Sequence, residues 1–222
     1  MDGWERNALR SRRSVGIGVL LGLALVGMGC RAETPLDSVA RRMTAATSAA
    51  PFALPDYAMT AHTGEAFNVR DDTAGRFVLL FFGYTYCPDV CPLTMASARA
   101  AVSLLPEADR DRVLPLFVTV DPGRDSIPRL REWLGTMDPD AVGLRGSTTE
   151  LDGLMTAMGF VLPPSTSRRS IEGATDEDYL VPHPASLFLI TPDGLGRFQY
   201  GWGRATPDEI ANDLRMLMEL EW

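Results

Sequence analysis

The chain contains no lysine: all 21 of its basic residues are arginine. That absence removes every mechanism that needs an amine, among them Schiff-base formation, the phosphate-loop lysine and the kinase-type lysine. Histidine is nearly as scarce, two in 222 residues, which leaves few ways to build an all-histidine metal site. Three cysteines are too few for a disulfide-rich scaffold. Acids outnumber arginines 29 to 21, a formal net charge of −8. This argues against nucleic acid as a partner, since binding it takes a basic stripe against phosphate. The length suits one domain with appendages, and 45% hydrophobic residues can fill a sizeable core.

Residues 1–30 read as an address. Arg6, Arg10, Arg12 and Arg13 precede Val15 to Met28, 14 residues without a charge. That is short of the roughly 20 residues of a bilayer span and suits the apolar core of an export signal. Small residues then lead to Gly29-Cys30. The order resembles a bacterial lipoprotein signal, in which the cysteine, here Cys30, is lipidated and becomes the first mature residue. An uncleaved anchor and ordinary cleaved secretion are the other readings. In each case the rest of the chain is expected to be exported; with a lipidated Cys30 or an uncleaved signal it is membrane-anchored through its N-terminus, facing the periplasm or another extracytoplasmic space. Setting aside the four arginines and two acids of residues 1–29 leaves 17 arginines against 27 acids, a net −10 from Cys30 onward. Residues 31–51 are rich in Ala, Thr and Ser without regular apolar spacing and read as a flexible tether. About 20 residues of that kind span about 25 Å on average.

From 52 to 222 strands and helices alternate. Phe77–Tyr84 and Val113–Val120 are apolar runs suited to strands buried on both faces. Between them Leu93, Ala96, Ala100, Val102, Leu104 and Leu105 suggest one apolar helical face, so the two strands should be parallel. Asp125-Ser126 starts a helix to about Leu134, and Ser147 with Glu150 opens another to about Met158. Ser186–Thr191, the turn Pro192-Asp193-Gly194 and Phe198–Tyr200 form a hairpin. Thr206-Pro207-Asp208-Glu209 starts a last helix carrying Ile210, Leu214 and Leu217. Pro163–Asp178 reads as an exposed excursion. This order predicts a thioredoxin-like α/β sandwich, a central mixed sheet flanked by helices.

The chemistry concentrates at Tyr84-Thr85-Tyr86-Cys87-Pro88-Asp89-Val90-Cys91-Pro92, where a buried strand ends and a helix begins. Ligands of open α/β sheets gather beyond the carboxyl ends of strands, and a helix start favours negative charge, so thiolates are stabilised there. Cysteines at i and i+4 can share one ion or form a disulfide. Two thiolates select Cu(I), and an added imidazole also accommodates Cu(II). His183, at a loop edge before a buried strand, is the better third ligand; alone, it reads as a solvated histidine. His62 falls in a turn, Ala61-His62-Thr63-Gly64, and reads as structural. Small buried hydrophobes or a structural disulfide are the other readings of Cys87 and Cys91.

Phe81 to Pro92, then Val118-Thr119-Val120-Asp121-Pro122 with Arg124-Asp125, then Asp178 to His183 before Leu187–Gly194, resembles the SCO1/SenC family of copper-binding thioredoxin-like proteins. The resemblance spans about Phe52 to Trp222. It implies Cys87, Cys91 and His183 as copper ligands, Asp89 as an acid that supports them or contacts a partner, and Asp121 as a supporting acid. The family commonly has an acid before the histidine and a serine after it, where this chain has Pro182 and Pro184. The implied function is a copper metallochaperone for cytochrome c oxidase assembly. It would deliver Cu(I) or Cu(II) to the dinuclear centre of subunit II or reduce that centre's cysteines, with other copper chaperones or thioredoxin-like reductants as further partners. A thiol-disulfide oxidoreductase using Cys87 and Cys91, joined by a disulfide in its oxidised form, is the alternative. A peroxidase, suggested by Thr85 near Cys87, is a third reading.

Overall fold

The computed structural model describes residues 33–160, 169–170 and 179–222, all within the unit Glu33–Trp222. The export signal with Cys30, and most of the excursion expected at Pro163–Asp178, lie outside the described residues.

The chain opens with α1 (Pro35–Ala40) and β1 (Ala46–Ala53), then the short β2 (Ala58–Ala61) and β3 (Ala66–Asn68). The central unit is β4 (Phe77–Gly83), α2 (Val90–Ser103), α3 (Glu107–Arg110) and β5 (Val113–Thr119). After it come α4 (Ile127–Met137), β6 (Val142–Arg145), α5 (Thr148–Ala157), β7 (Arg169–Ser170) and β8 (Tyr179–Leu180). A hairpin of β9 (Ser186–Ile190) and β10 (Leu195–Gly201) and the helix α6 (Pro207–Met218) close the fold. The main sheet runs β1-β10-β9-β4-β5-β6-β2-β3, and β7 pairs with β8 separately. Strands β4, β5 and β6 are parallel, while β9 is antiparallel to β4, so the expected mixed sheet is present.

Every residue of β4 and β5 is buried, as their unbroken apolar runs require of strands covered on both faces. Gly194 turns the β9–β10 hairpin at φ 78°, which a side chain rarely adopts. Helix α2 is placed as expected but rotated: it buries Cys91, Met95, Ala98 and Ala101, whereas Leu93 is 56% exposed. Cys91 must face inward beneath β4, and the helical repeat counted from it selects Met95 and Ala98 rather than Leu93 and Ala96.

The tether expected over residues 31–51 is corrected by α1 and β1. Thr34-Pro35-Leu36-Asp37 is a complete capping box with proline in the first turn, and it starts α1. Beyond it, the backbone N–H groups of Thr44 and Ala45 donate to the buried carboxylate of Asp213 on α6, at 3.1 and 2.9 Å. Strand β1 then pairs with β10, with a break in register between Thr47 and Phe52. Phe52 packs edge-on against Phe188, over Gly196, where a Cβ would overlap its ring. The domain therefore begins well before residue 52.

Candidate metal centre

β4 ends at Gly83, and only glycine fits: a Cβ there would lie 2.8 Å from both Cys91 Sγ and Phe117. The chain leaves the sheet through Tyr84 to Pro88 and enters α2, whose N-cap Asp89 accepts the Val90 N–H at 2.6 Å. Cys87 thus sits just ahead of the helix and Cys91 in its first turn. The Cys91 N–H donates to Cys87 Sγ at 3.4 Å, and the Asp89 N–H points at the same sulfur. These are the unpaired donors of a helix start, aimed at a thiolate.

His183 reaches this place by topology. Because β9 runs antiparallel to β4 with Leu187 opposite Phe81, the residues before β9 fall at the carboxyl end of β4. Its Nε2 lies 3.7 Å from Cys91 Sγ, and single donor atoms of Cys87, Cys91 and His183 all fall within 4.8 Å of one another. Donors about 2.0–2.3 Å from a shared ion in a trigonal arrangement lie about 3.8–4.0 Å apart, so this set fits one metal ion with little movement. Two thiols and one imidazole suit copper. His183 Nδ1 lies 3.1 Å from the Pro184 carbonyl, which can only accept; Nδ1 therefore carries a proton, and Nε2 faces the sulfurs. The proline after the histidine thus contributes the group that orients the ring. The ring stands edge-on to Phe81 and Tyr84, at 5.8 and 5.6 Å.

The two sulfurs differ in their electrostatics. A hydrogen bond from the Cys91 thiol, opposed by burial and helped by His183 and the backbone N–H groups, brings the Cys87 thiol down to about 4. Cys91, fully buried and giving its proton to Cys87, is pushed far up. The metal-free pair at neutral pH therefore holds one thiolate and one thiol. Both are free cysteines, with the Cys91 proton turned to Cys87, so the structure describes the reduced pair.

Asp89 is an exposed helix cap and Asp121 a 2%-exposed acid paired with Arg124; neither joins the three donors. His62 accepts the Gly143 N–H at 3.1 Å through Nδ1, a structural role as expected. Thr85 gives its hydroxyl proton to Asp125 at 2.7 Å while its N–H bonds the same carboxylate at 3.0 Å. That leaves no hydroxyl proton facing Cys87, which undercuts the peroxidase reading. Sequence reading missed Tyr84, Arg124 and Tyr179, which wall the site; Arg124 lies over all three of Tyr84, Tyr86 and Tyr179. The run of tyrosines beside Cys87 was the visible signal.

The family profile of SCO1/SenC matches residues 45–219. The human mitochondrial SCO2 homolog is 32% identical over 202 residues, 89% of this chain and 71% of that one. Copper-bound ScoI of Bradyrhizobium japonicum shares 30% identity with a TM-score of 0.59, over 75% of this chain and 96% of that one. Copper-bound yeast Sco1 shares 25% identity with a TM-score of 0.61, over 78% of this chain and 89% of that one. With a match over most of the domain and the Cys-Cys-His group assembled within it, the chain belongs to the SCO1/SenC family.

Proposed function

We propose that this protein carries copper to cytochrome c oxidase, delivering it to the dinuclear copper centre of subunit II or reducing that centre's cysteines. The observation that carries the reading is the meeting of three soft or borderline donors from two distant stretches of chain within 4.8 Å. Copper is cargo here, held by Cys87 Sγ, Cys91 Sγ and His183 Nε2. A three-donor set at the mouth of the fold, rather than a closed four-ligand cage, suits an ion that must be handed on. The N-terminal segment, lipidated at Cys30, would anchor the domain at the outer face of the membrane. Among the described residues no helix is long and apolar enough to cross a membrane.

Copper titration of the reduced protein tests this. One equivalent should bind tightly, binding should vanish when Cys87 and Cys91 are both serine, and His183→Ala should weaken it. Failure to bind, or binding indifferent to both serines, would overturn the reading.

A second reading is favoured by the asymmetry of the thiols. Cys87 has the character of an attacking thiolate and Cys91 that of a buried resolving thiol. Cys87 would attack a client disulfide and release one client thiolate. Cys91, losing its proton, would then displace the second, leaving the Cys87–Cys91 disulfide and a fully reduced client. Rapid reduction of about one equivalent of a disulfide substrate by the reduced, metal-free protein, with no copper affinity, would establish this reading in place of the first.

A further inference from the structure

We propose that Arg124 is a positioning residue for His183, acting through Tyr179; the proposal rests on His183 being the third copper ligand. His183 meets the thiols only through Nε2, 3.7 Å from Cys91 Sγ, while its Nδ1 bonds the carbonyl of the very next residue. What sets its place is the segment that carries it, whose root is Tyr179.

Arg124 grips that root in two ways. Its guanidinium donates to the Tyr179 carbonyl at 2.9 Å and lies 3.6 Å from the centroid of the Tyr179 ring. The same guanidinium pairs through Nε with Asp121 at the end of β5, and the Tyr179 hydroxyl donates to the other oxygen of Asp121 at 3.0 Å. Arginine, aspartate and tyrosine thus close a triangle, with the Arg124 side chain 14% exposed and Asp121 2%. A desolvated, planar fork that bonds and stacks at once cannot be replaced by a lysine. Among the described residues, β8 meets β7 over two residues.

The grip extends to the ligand. Between Tyr179 and His183, the backbone of Val181 bonds the Tyr84 hydroxyl, and the Tyr84 ring abuts the imidazole at 5.6 Å. Arg124 also lies 5.5 Å from the Tyr84 ring, so one side chain contacts both supports of the histidine segment. Cys87 and Cys91 are held by the β4–α2 junction, on the other side of the site. Loss of Arg124 should therefore release the imidazole and leave the thiols in place.

The metal-free test is NMR of the imidazoles in the full reduced chain, where two histidines give two sets of lines and His183→Ala assigns them. The Phe81 and Tyr84 rings, at 5.8 and 5.6 Å, should displace the His183 lines. Arg124→Lys, Arg124→Gln and Tyr179→Phe should bring them toward free-imidazole positions while the His62 lines stay. In copper titrations Arg124→Lys should weaken Cu(II) binding about 10- to 100-fold, the usual reach of a ligand-orienting group. In a His183→Ala background the same change should matter by less than about twofold. Unmoved His183 lines in the folded variants, or an equal loss of affinity with and without His183, would overturn the proposal. Should Arg124→Gln fail to fold, Arg124→Lys and Tyr179→Phe carry the test. Should the wild-type protein take up no copper, the copper reading falls, while the imidazole lines still decide whether Arg124 positions His183.

Discussion

Two cysteines four residues apart do different work because one sits ahead of a helix and the other inside it. Cys87 collects the N–H groups of the helix start and the proton of Cys91, whereas Cys91 is sealed beneath Gly83. In the metal-free reduced protein, iodoacetamide should label Cys87 first, with a rate that rises through a half-point near pH 4 and is flat by neutrality. Cys91→Ala should move that half-point upward, because the Cys91 thiol is the main cause of the depression. Peptide mapping decides it; Cys91 reacting first, or a half-point above about 7, would contradict the assignment. Gly83 is the matching test of space. Gly83→Ala must push Cys91 Sγ or Phe117 aside and should cost about 1–3 kcal/mol of stability while weakening copper binding. Urea unfolding beside a copper titration would show both losses.

At the scale of elements, the N-terminal segment matters most, because it is stitched to the far side of the sheet by one carboxylate. Asp213 accepts from the Thr44 and Ala45 N–H groups and from the Tyr200 hydroxyl at 3.1 Å, although it is fully buried. Asp213→Ala strands those donors and should lower stability by about 3 kcal/mol, with faster hydrogen exchange confined first to residues 44–53. Burial holds the Asp213 carboxyl above its ordinary range, so the folded state keeps this proton to higher pH than the unfolded state. The group's contribution is then fully present at acid pH and declines as pH rises through the folded value. The stability advantage of wild type over Asp213→Asn should accordingly be largest near pH 4 and shrink toward neutrality, by urea midpoints. An advantage that grows with pH would mean the carboxylate is the favoured form.

This stitching was not legible in the sequence, although its parts were. Thr34-Pro35-Leu36-Asp37 carries the same start signal as Thr206-Pro207-Asp208-Glu209, but only the second is followed by a full apolar stripe. Strand β1, alanine-rich and mostly exposed, owes its place to β10 and Asp213 rather than to any period of its own. The buried strands β4 and β5 were legible because a strand covered on both faces has to be apolar throughout. The cysteine pair was legible from spacing, and His183 from its place before β9 together with the family resemblance. Arg124 and Tyr179 were not, since a latch between residues 55 apart in sequence leaves no local pattern.

For the whole molecule, cargo and fold are linked. Copper at this site would join the start of α2 to a residue 92 positions further along the chain, adding a link to the one that the β4–β9 pairing already makes. Binding to the folded state alone must raise the unfolding temperature, and by more at higher copper concentration. The state of the thiols sets how that stabilisation depends on pH. Cys87 is already a thiolate at neutrality, while Cys91 keeps its proton until a metal displaces it. Loading should therefore release about one proton per copper rather than two, and the apparent affinity should climb about tenfold per pH unit through the neutral range. Calorimetric titration in two buffers of different ionisation enthalpy counts the protons directly. A count near zero would mean that Cys91 is not a ligand or is already ionised. A count near two would mean that Cys87 is not the thiolate the helix start makes it. With a count of one, lowering the pH from 8 to 6 should cut affinity about a hundredfold and draw the copper-loaded unfolding temperature down toward that of the metal-free protein.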